Sequence, residues 1–183
     1  MPRINPINPA KADSRATALL DGVQRKLGMT PNLMRTMAQS PAVLDAYLGF
    51  GKALGGASLS PQLREQIALA VAGENSCGYC ASAHTALGRK LGLDDDELSA
   101  NLNSLSRDSK TQAALDFAQR IVVKRGWVSD DDLQRVRDAG YTDGAIAELV
   151  ATVALSLFSN YFNHVAQTEV DFPRVQVRQP TAA

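Results

Sequence analysis

The sequence predicts an all-α protein, and three observations carry that expectation. A serine or threonine followed by proline recurs at Thr30-Pro31, Ser40-Pro41 and Ser60-Pro61, an N-cap residue followed by the residue favoured at the first helical position. Gly28, Gly92, Gly126 and Gly140 each fall just past a stretch with apolar residues every three or four positions, where helices end. Period-two alternation occurs only at Val175-Gln176-Val177, too short for a strand. The expected architecture is one domain of about eight to nine helices with an extended N-terminal arm.

The elements follow in order. Residues 1–11 carry three prolines and read as an extended arm, which the sequence allows either to wrap a neighbouring subunit or to hang loose. The helical domain spans 12–173. Asp13 or Ser14 caps its first helix, lined by Leu19, Leu20, Val23 and Leu27 and ended by Gly28. The next two helices cover 32–39 and 42–54, with Met34, Met37, Leu44, Tyr47 and Phe50 as packing residues and a methionine-lined pocket as the rarer alternative. Ser60 starts a helix whose middle, 67–72, is apolar on every side, so it should be buried all round. Ser76 is the expected cap of the helix that follows and runs to about Leu91.

Asp94 to Glu97 supply the acidic first turn of a further helix, without the alternating ligands of a calcium loop. Residues 109–125 are amphipathic, with Phe117 and Ile121 inward. Ser129 opens a short helix through a capping-box-like sequence, and Trp127 is expected to anchor the turn beneath it. Thr142 caps the last and longest helix, to about Glu169; its apolar surface suits either the core or a subunit interface. Residues 174–183 form the C-terminal tail, draped or disordered.

The chemistry is concentrated in residues 65–88. Both cysteines, Cys77 and Cys80, lie there with His84, one of the two histidines. At about 100° per residue the three fall within an arc of roughly 60° on one helix face. A helix N-terminus favours thiolate, and His84 stands four residues after Cys80, a spacing at which side chains meet. A Cys-x-x-Cys pair can close a small reversible disulfide. The stretch reads as a dithiol redox centre with its own base. Proximity to the helix start favours Cys77 as the nucleophile, while the His84 spacing favours Cys80. Glu65 precedes Cys77 by twelve positions, and an antiparallel helix pair would return it towards His84. Taken alone, Glu65 reads first as a solvated or dipole-stabilised acid, and its spacing to Cys77, Cys80 and His84 reverses that order. A zinc site of Cys77, Cys80, His84 and His164 is arithmetically open, but the spacing matches no common zinc pattern and no metal is expected. His164 reads as a core or interface histidine first and as a neighbour of the dithiol second.

The pattern Glu65, Cys77-x-x-Cys80, His84 resembles the alkylhydroperoxidase AhpD-like proteins of the carboxymuconolactone decarboxylase superfamily, and residues 160–173, NYFNHVAQTEVDFP, look like the peroxidase-related branch of that family. The resemblance covers about 30–173. It implies the AhpD-like helical fold, assembled as trimers or hexamers. It further implies a peroxidase in which Cys80 attacks a hydroperoxide, Cys77 resolves it to a disulfide, and Glu65 with His84 relays protons. No cofactor is implied. The reductant would be a thiol or dithiol, such as a lipoylated protein. The better-studied members carry another histidine between the cysteines, where this chain has Gly78-Tyr79. The competing functions are a thiol–disulfide adaptor with little peroxidase activity and a non-redox carboxymuconolactone decarboxylase-like protein.

Composition bounds the rest. The 183 residues suit one domain, and 45% apolar content supports a sizeable core. Nineteen basic and nineteen acidic side chains balance, giving no electrostatic argument for nucleic acid or an anionic membrane. The N-terminus lacks the apolar region of a secretory signal, and 149–158 is too short to span a bilayer, so a cytoplasmic protein is expected.

Overall fold

The computed structural model describes residues 1–8 and 11–177. Residues 9 and 10 of the expected arm and 178–183 of the expected tail lie outside the described residues. Nine helices and no strand occur among those described: α1 Ser14–Leu27, α2 Asn32–Met37, α3 Pro41–Gly55, α4 Pro61–Glu74, α5 Gly78–Lys90, α6 Asp95–Asn101, α7 Ser109–Val123, α8 Asp130–Asp138 and α9 Asp143–Ala166.

The boundaries follow local chemistry. Asp13, Ser60, Asp94, Asp108, Ser129 and Thr142 each accept a hydrogen bond from a backbone N–H in the first turn of their helix. The Ser129 box is reciprocal, since Asp132 also accepts from the Ser129 backbone N–H at 3.1 Å. Gly28 ends α1 at φ 77, a left-handed conformation that glycine adopts without strain. α9 stops three residues earlier than expected: Gln167 takes φ 48 and closes it.

α4 is the axis of the fold. Residues 67–72 are buried on every side, as the unbroken apolar run demands. It packs against α5, α6, α7 and α9. Near its C-terminus a Cβ on Gly73 would lie 1.8 Å from the Leu102 carbonyl oxygen, so only glycine admits this approach to the end of α6. The core divides around α4 into two clusters. One joins α4 to α7, α8 and α9 through Ile67, Leu115, Phe117, Val136, Leu149 and Val153. The other joins α1, α2 and α3 to the start of α5 through Leu20, Met37, Leu44, Tyr79 and Cys80.

Both described terminal segments lie on this second cluster. Arg3 and Ile4 donate to the Ala166 carbonyl at the end of α9, and Ile7 donates to the Arg35 carbonyl at 3.0 Å. The described part of the arm therefore packs on its own chain. The C-terminal segment crosses in the other direction. Asp171 accepts from the Tyr79 hydroxyl at 2.9 Å and from the Asn32 backbone at 2.7 Å, and the Val175 N–H donates to Ser82 Oγ at 3.0 Å.

Two packing expectations change. Trp127 is 86% exposed and anchors nothing: the turn is closed instead by backbone bonds from Gly126 to Ile121 and from Trp127 to Lys124. Phe50 and Phe158 are about two-fifths exposed, at 40% and 43%, on an apolar face shared by α3 and α9. α9 is long and apolar enough to pass for a membrane span by composition, a pattern it shares with any buried core helix.

Candidate functional site

α4 ends at Glu74, and the chain turns sharply through Asn75 and Ser76. Ser76 sits at φ 56, so the expected cap residue is a left-handed turn residue instead. The cap is Cys77, whose Sγ accepts from the Cys80 backbone N–H at 3.3 Å. Its own N–H returns to the Ala72 carbonyl at 2.8 Å, tying the turn to α4. The displacement by one residue matters chemically. A sulfur in the cap position faces the unpaired N–H groups of the first turn directly.

Both cysteines are reduced and buried, at 1% and 2% exposure. Their thiols are shifted in opposite directions. The Cys80 thiol hydrogen-bonds Cys77 and pulls its pKa down; burial opposes this, and the Cys80 backbone N–H and the charge of His84 assist it. Burial pushes Cys80 well up, and the hydrogen bond to Cys77 and its charge push the same way. Hydrogen bonds from Asn163 and Ser159 pull Cys80 back. Of the two, Cys77 is therefore the sulfur on which a thiolate is favoured.

The antiparallel pairing of α4 and α5 brings Glu65 to His84, whose Nδ1 lies 2.7 Å from Glu65 Oε2. Each side chain is about one-fifth exposed, at 19% and 21%. Burial depresses the His84 pKa, but the Glu65 carboxylate outweighs it by charge and hydrogen bond, so the value is raised above 6.5. With Nδ1 committed to Glu65, Nε2 is the ring nitrogen left to meet a ligand.

A pocket opens on this group. Leu27, Leu33, Met34, Leu87 and Phe172 supply apolar walls; Cys80, His84, Tyr47 and Ser159 supply the polar points. Cys80 lines it and Cys77 does not. Met34 lines the pocket while Met37 is 1% exposed in the core, so the two methionines divide the two readings between them. Phe172 packs edge-on against Tyr79 with ring centroids 5.9 Å apart.

The structure thus brings Glu65, Cys77, Cys80 and His84 together and leaves His164 exposed and outside the group. Its neighbour Asn163 makes the contact instead, donating from Nδ2 to Cys80 Sγ at 3.3 Å. Tyr47, expected only to pack, also belongs to the site. Burial raises its pKa, and the charges of Cys80 and Glu65 raise it further, against a hydrogen bond with Ser159. Helical periodicity placed Tyr47 and Asn163 on apolar faces and carried no sign of the sulfur between them. Among the described residues no three His, Cys, Asp or Glu side chains gather into a metal-binding group.

Residues 41–121 match the carboxymuconolactone decarboxylase family. Solved structures extend the likeness to most of the chain. An AhpD-core, uncharacterised peroxidase-related protein from Ralstonia eutropha JMP134 superposes with TM-score 0.83 at 26% identity, over 93% of this chain and 92% of that one. An uncharacterised peroxidase-related protein from Silicibacter sp. TM1040 gives 0.80 at 24%, over 91% and 92%. The debrominase Bmp8, solved as a cysteine-to-alanine variant with 2,3,4-tribromopyrrole, gives 0.79 at 20%, over 92% and 91%. Comparison with curated proteins gives no significant match. The all-helical architecture is the AhpD-like fold, and the family match over residues 41–121 together with these structural likenesses supports the AhpD/carboxymuconolactone decarboxylase superfamily.

Proposed function

We propose that this protein is a thiol peroxidase that reduces hydroperoxides through Cys80 and Cys77. The observation that carries the reading is the opening of an apolar pocket onto Cys80, with its dithiol partner behind it and a His84–Glu65 pair beside it. In the first step the proton of Cys80 passes to Cys77 along the thiol–thiol hydrogen bond, leaving the thiolate on Cys80. That thiolate attacks the distal oxygen of ROOH. The S–O bond forms as the O–O bond breaks, giving Cys80 sulfenic acid and an alkoxide. The His84 imidazolium, favoured by the Glu65 carboxylate, delivers a proton to the alkoxide, and ROH leaves. Cys77 then condenses with the sulfenic acid, releasing water and forming the Cys77–Cys80 disulfide. A dithiol reductant donates two electrons and two protons to restore both thiols.

Two further features support the wider reading. The apolar walls suit an organic hydroperoxide over hydrogen peroxide. The exposed apolar face of α3 and α9 suits a contact between copies of the chain, measurable by light scattering.

The test is a thiol count with Ellman's reagent on reduced protein, before and after one equivalent of cumene hydroperoxide. The expected result is loss of two thiols per chain, restored by dithiothreitol. In Cys77→Ser the reaction should stop after one oxidation, with a dimedone adduct on Cys80. Two thiols that survive the peroxide would overturn the reading and bring the adaptor and non-redox alternatives forward.

A further inference from the structure

Cys80 is the more deeply disfavoured thiolate of the pair, yet it is the sulfur that faces the pocket. Something must hold charge on it during attack. The groups around it come from three helices. The cap of α5 supplies Cys77, and α5, one turn after Cys80, supplies His84 with its α4 partner Glu65; α3 supplies the Tyr47 phenol; α9 supplies Ser159 and Asn163. Of these, Cys77 disfavours a Cys80 anion by hydrogen bond and charge, and the Ser159 hydroxyl already donates to the Ser156 carbonyl at 3.0 Å. The Asn163 amide is the uncharged donor with direct geometry on the sulfur, at 3.3 Å. Asn163 is itself 4% exposed, so the bond is made away from water. Its Oδ1 is buried with no hydrogen-bond partner, an unusual cost for a side chain that served packing alone.

We infer that Asn163 is a further catalytic residue, whose amide stabilises the anionic sulfur of Cys80 and thereby selects Cys80 over Cys77 as the attacking thiol. The inference rests on the peroxidase reading for its place in turnover. The amide presents both polarities at one spot. Nδ2–H meets the thiolate before attack, and the unused Oδ1 is available to the O–H of the sulfenic acid that replaces it. Hydrogen bonds to an ionised partner exceed neutral ones in strength, so loss of the donor should move the Cys80 titration upward.

The experiment needs no peroxide. In a Cys77→Ser background the Cys80 thiolate is titrated by its absorbance at 240 nm and by iodoacetamide alkylation rate against pH. Asn163→Ala and Asn163→Leu should each raise the apparent pKa by about one pH unit, a tenfold loss of thiolate below it. With both cysteines present, mapped alkylation at limiting iodoacetamide should shift from Cys80 towards Cys77 in the same variants, which a merely structural role would not produce. A titration unchanged in both variants would overturn the inference. Should neither variant fold, the side-chain amide resonances of Asn163 in the Cys77→Ser protein decide it. They are expected to move with the Cys80 titration, and resonances that stay fixed through it sink the proposal. Failure of the wild-type dithiol to react with peroxide would instead remove the peroxidase reading and leave this titration standing.

Discussion

Glu65 and Gln66 are adjacent on α4, and they point into two buried polar clusters built on opposite principles. Gln66 donates to Glu97 on α6 at 3.0 Å. The Glu97 carboxylate, 7% exposed, also accepts from Asn101, Ser106 and the Arg107 side chain and backbone. Its lone pairs are saturated, and those donors hold its pKa below the ordinary value against the burial that would raise it. Glu65 reaches the other cluster through His84. There the polar groups are under-satisfied: Asn163 Oδ1 and Asn160 Nδ2 are buried without partners, and the two thiols are shifted in opposite directions. A saturated network holds a fold in one state, whereas an unsaturated one keeps capacity for species that come and go. The Glu97 side also contains one orphan, Asn101 Oδ1, for which there is no physical account.

Perturbations should separate the two clusters. Cys80→Ser carries the largest expected effect: peroxide turnover falls at least about 100-fold while thermal unfolding stays within about 1 kcal/mol of wild type. Comparable loss of stability would erase the distinction.

Glu97→Ala is the mirror experiment. It orphans the buried Gln66 and Asn101 donors and should cost about 3 kcal/mol in urea unfolding, leaving the rate of peroxide-driven thiol loss in the folded protein nearly unchanged. Because the folded-state pKa of Glu97 is lowered, its contribution is fully present above about pH 4.5 and is lost as pH falls through the lower folded value. Stability of the variant should therefore be flatter than wild type across the acid range.

A smaller effect belongs to the Glu65–His84 pair. The His84 pKa is raised on folding, so the stabilisation is fully present below about pH 6.5 and is lost as pH rises through the folded value. Unfolding at pH 6 and pH 9 should differ by at most about 1 kcal/mol through this pair, which is partly exposed. Glu65→Gln should remove that difference, and a slope that persists in the variant would assign it elsewhere. Trp127→Ala is the control outside both clusters. At 86% exposure it should change stability by less than about 0.5 kcal/mol, so a larger loss would restore the anchoring role the sequence suggested.

Much of this architecture is legible without coordinates, because it is written locally. Helix starts depend on one side chain and the next two or three N–H groups, so Asp13, Ser60, Ser129 and Thr142 announce themselves. The Cys77, Cys80 and His84 cluster follows from helical spacing, and the return of Glu65 follows from a short antiparallel connection. One local error, Ser76 for Cys77 as the cap, arises because a serine is the usual cap and a cysteine is not; another is Thr30, where Pro31 itself takes the N-cap position of α2 without a side-chain bond.

What lay beyond the sequence was every contact between elements distant in the chain. α9 is apolar around most of its circumference, so its pattern does not say which side meets α5. His164 is the residue that chemistry singles out, but the rotation of α9 exposes it and turns Asn163 onto the sulfur. The same holds for Tyr47 in the pocket and for Asp171, which joins Tyr79 to the start of α2 across 92 and 139 residues. Helical propensity and capping are short-range and survive in isolated segments. The rotation of one helix against another is set by how their side chains interlock, and only the assembled core decides it.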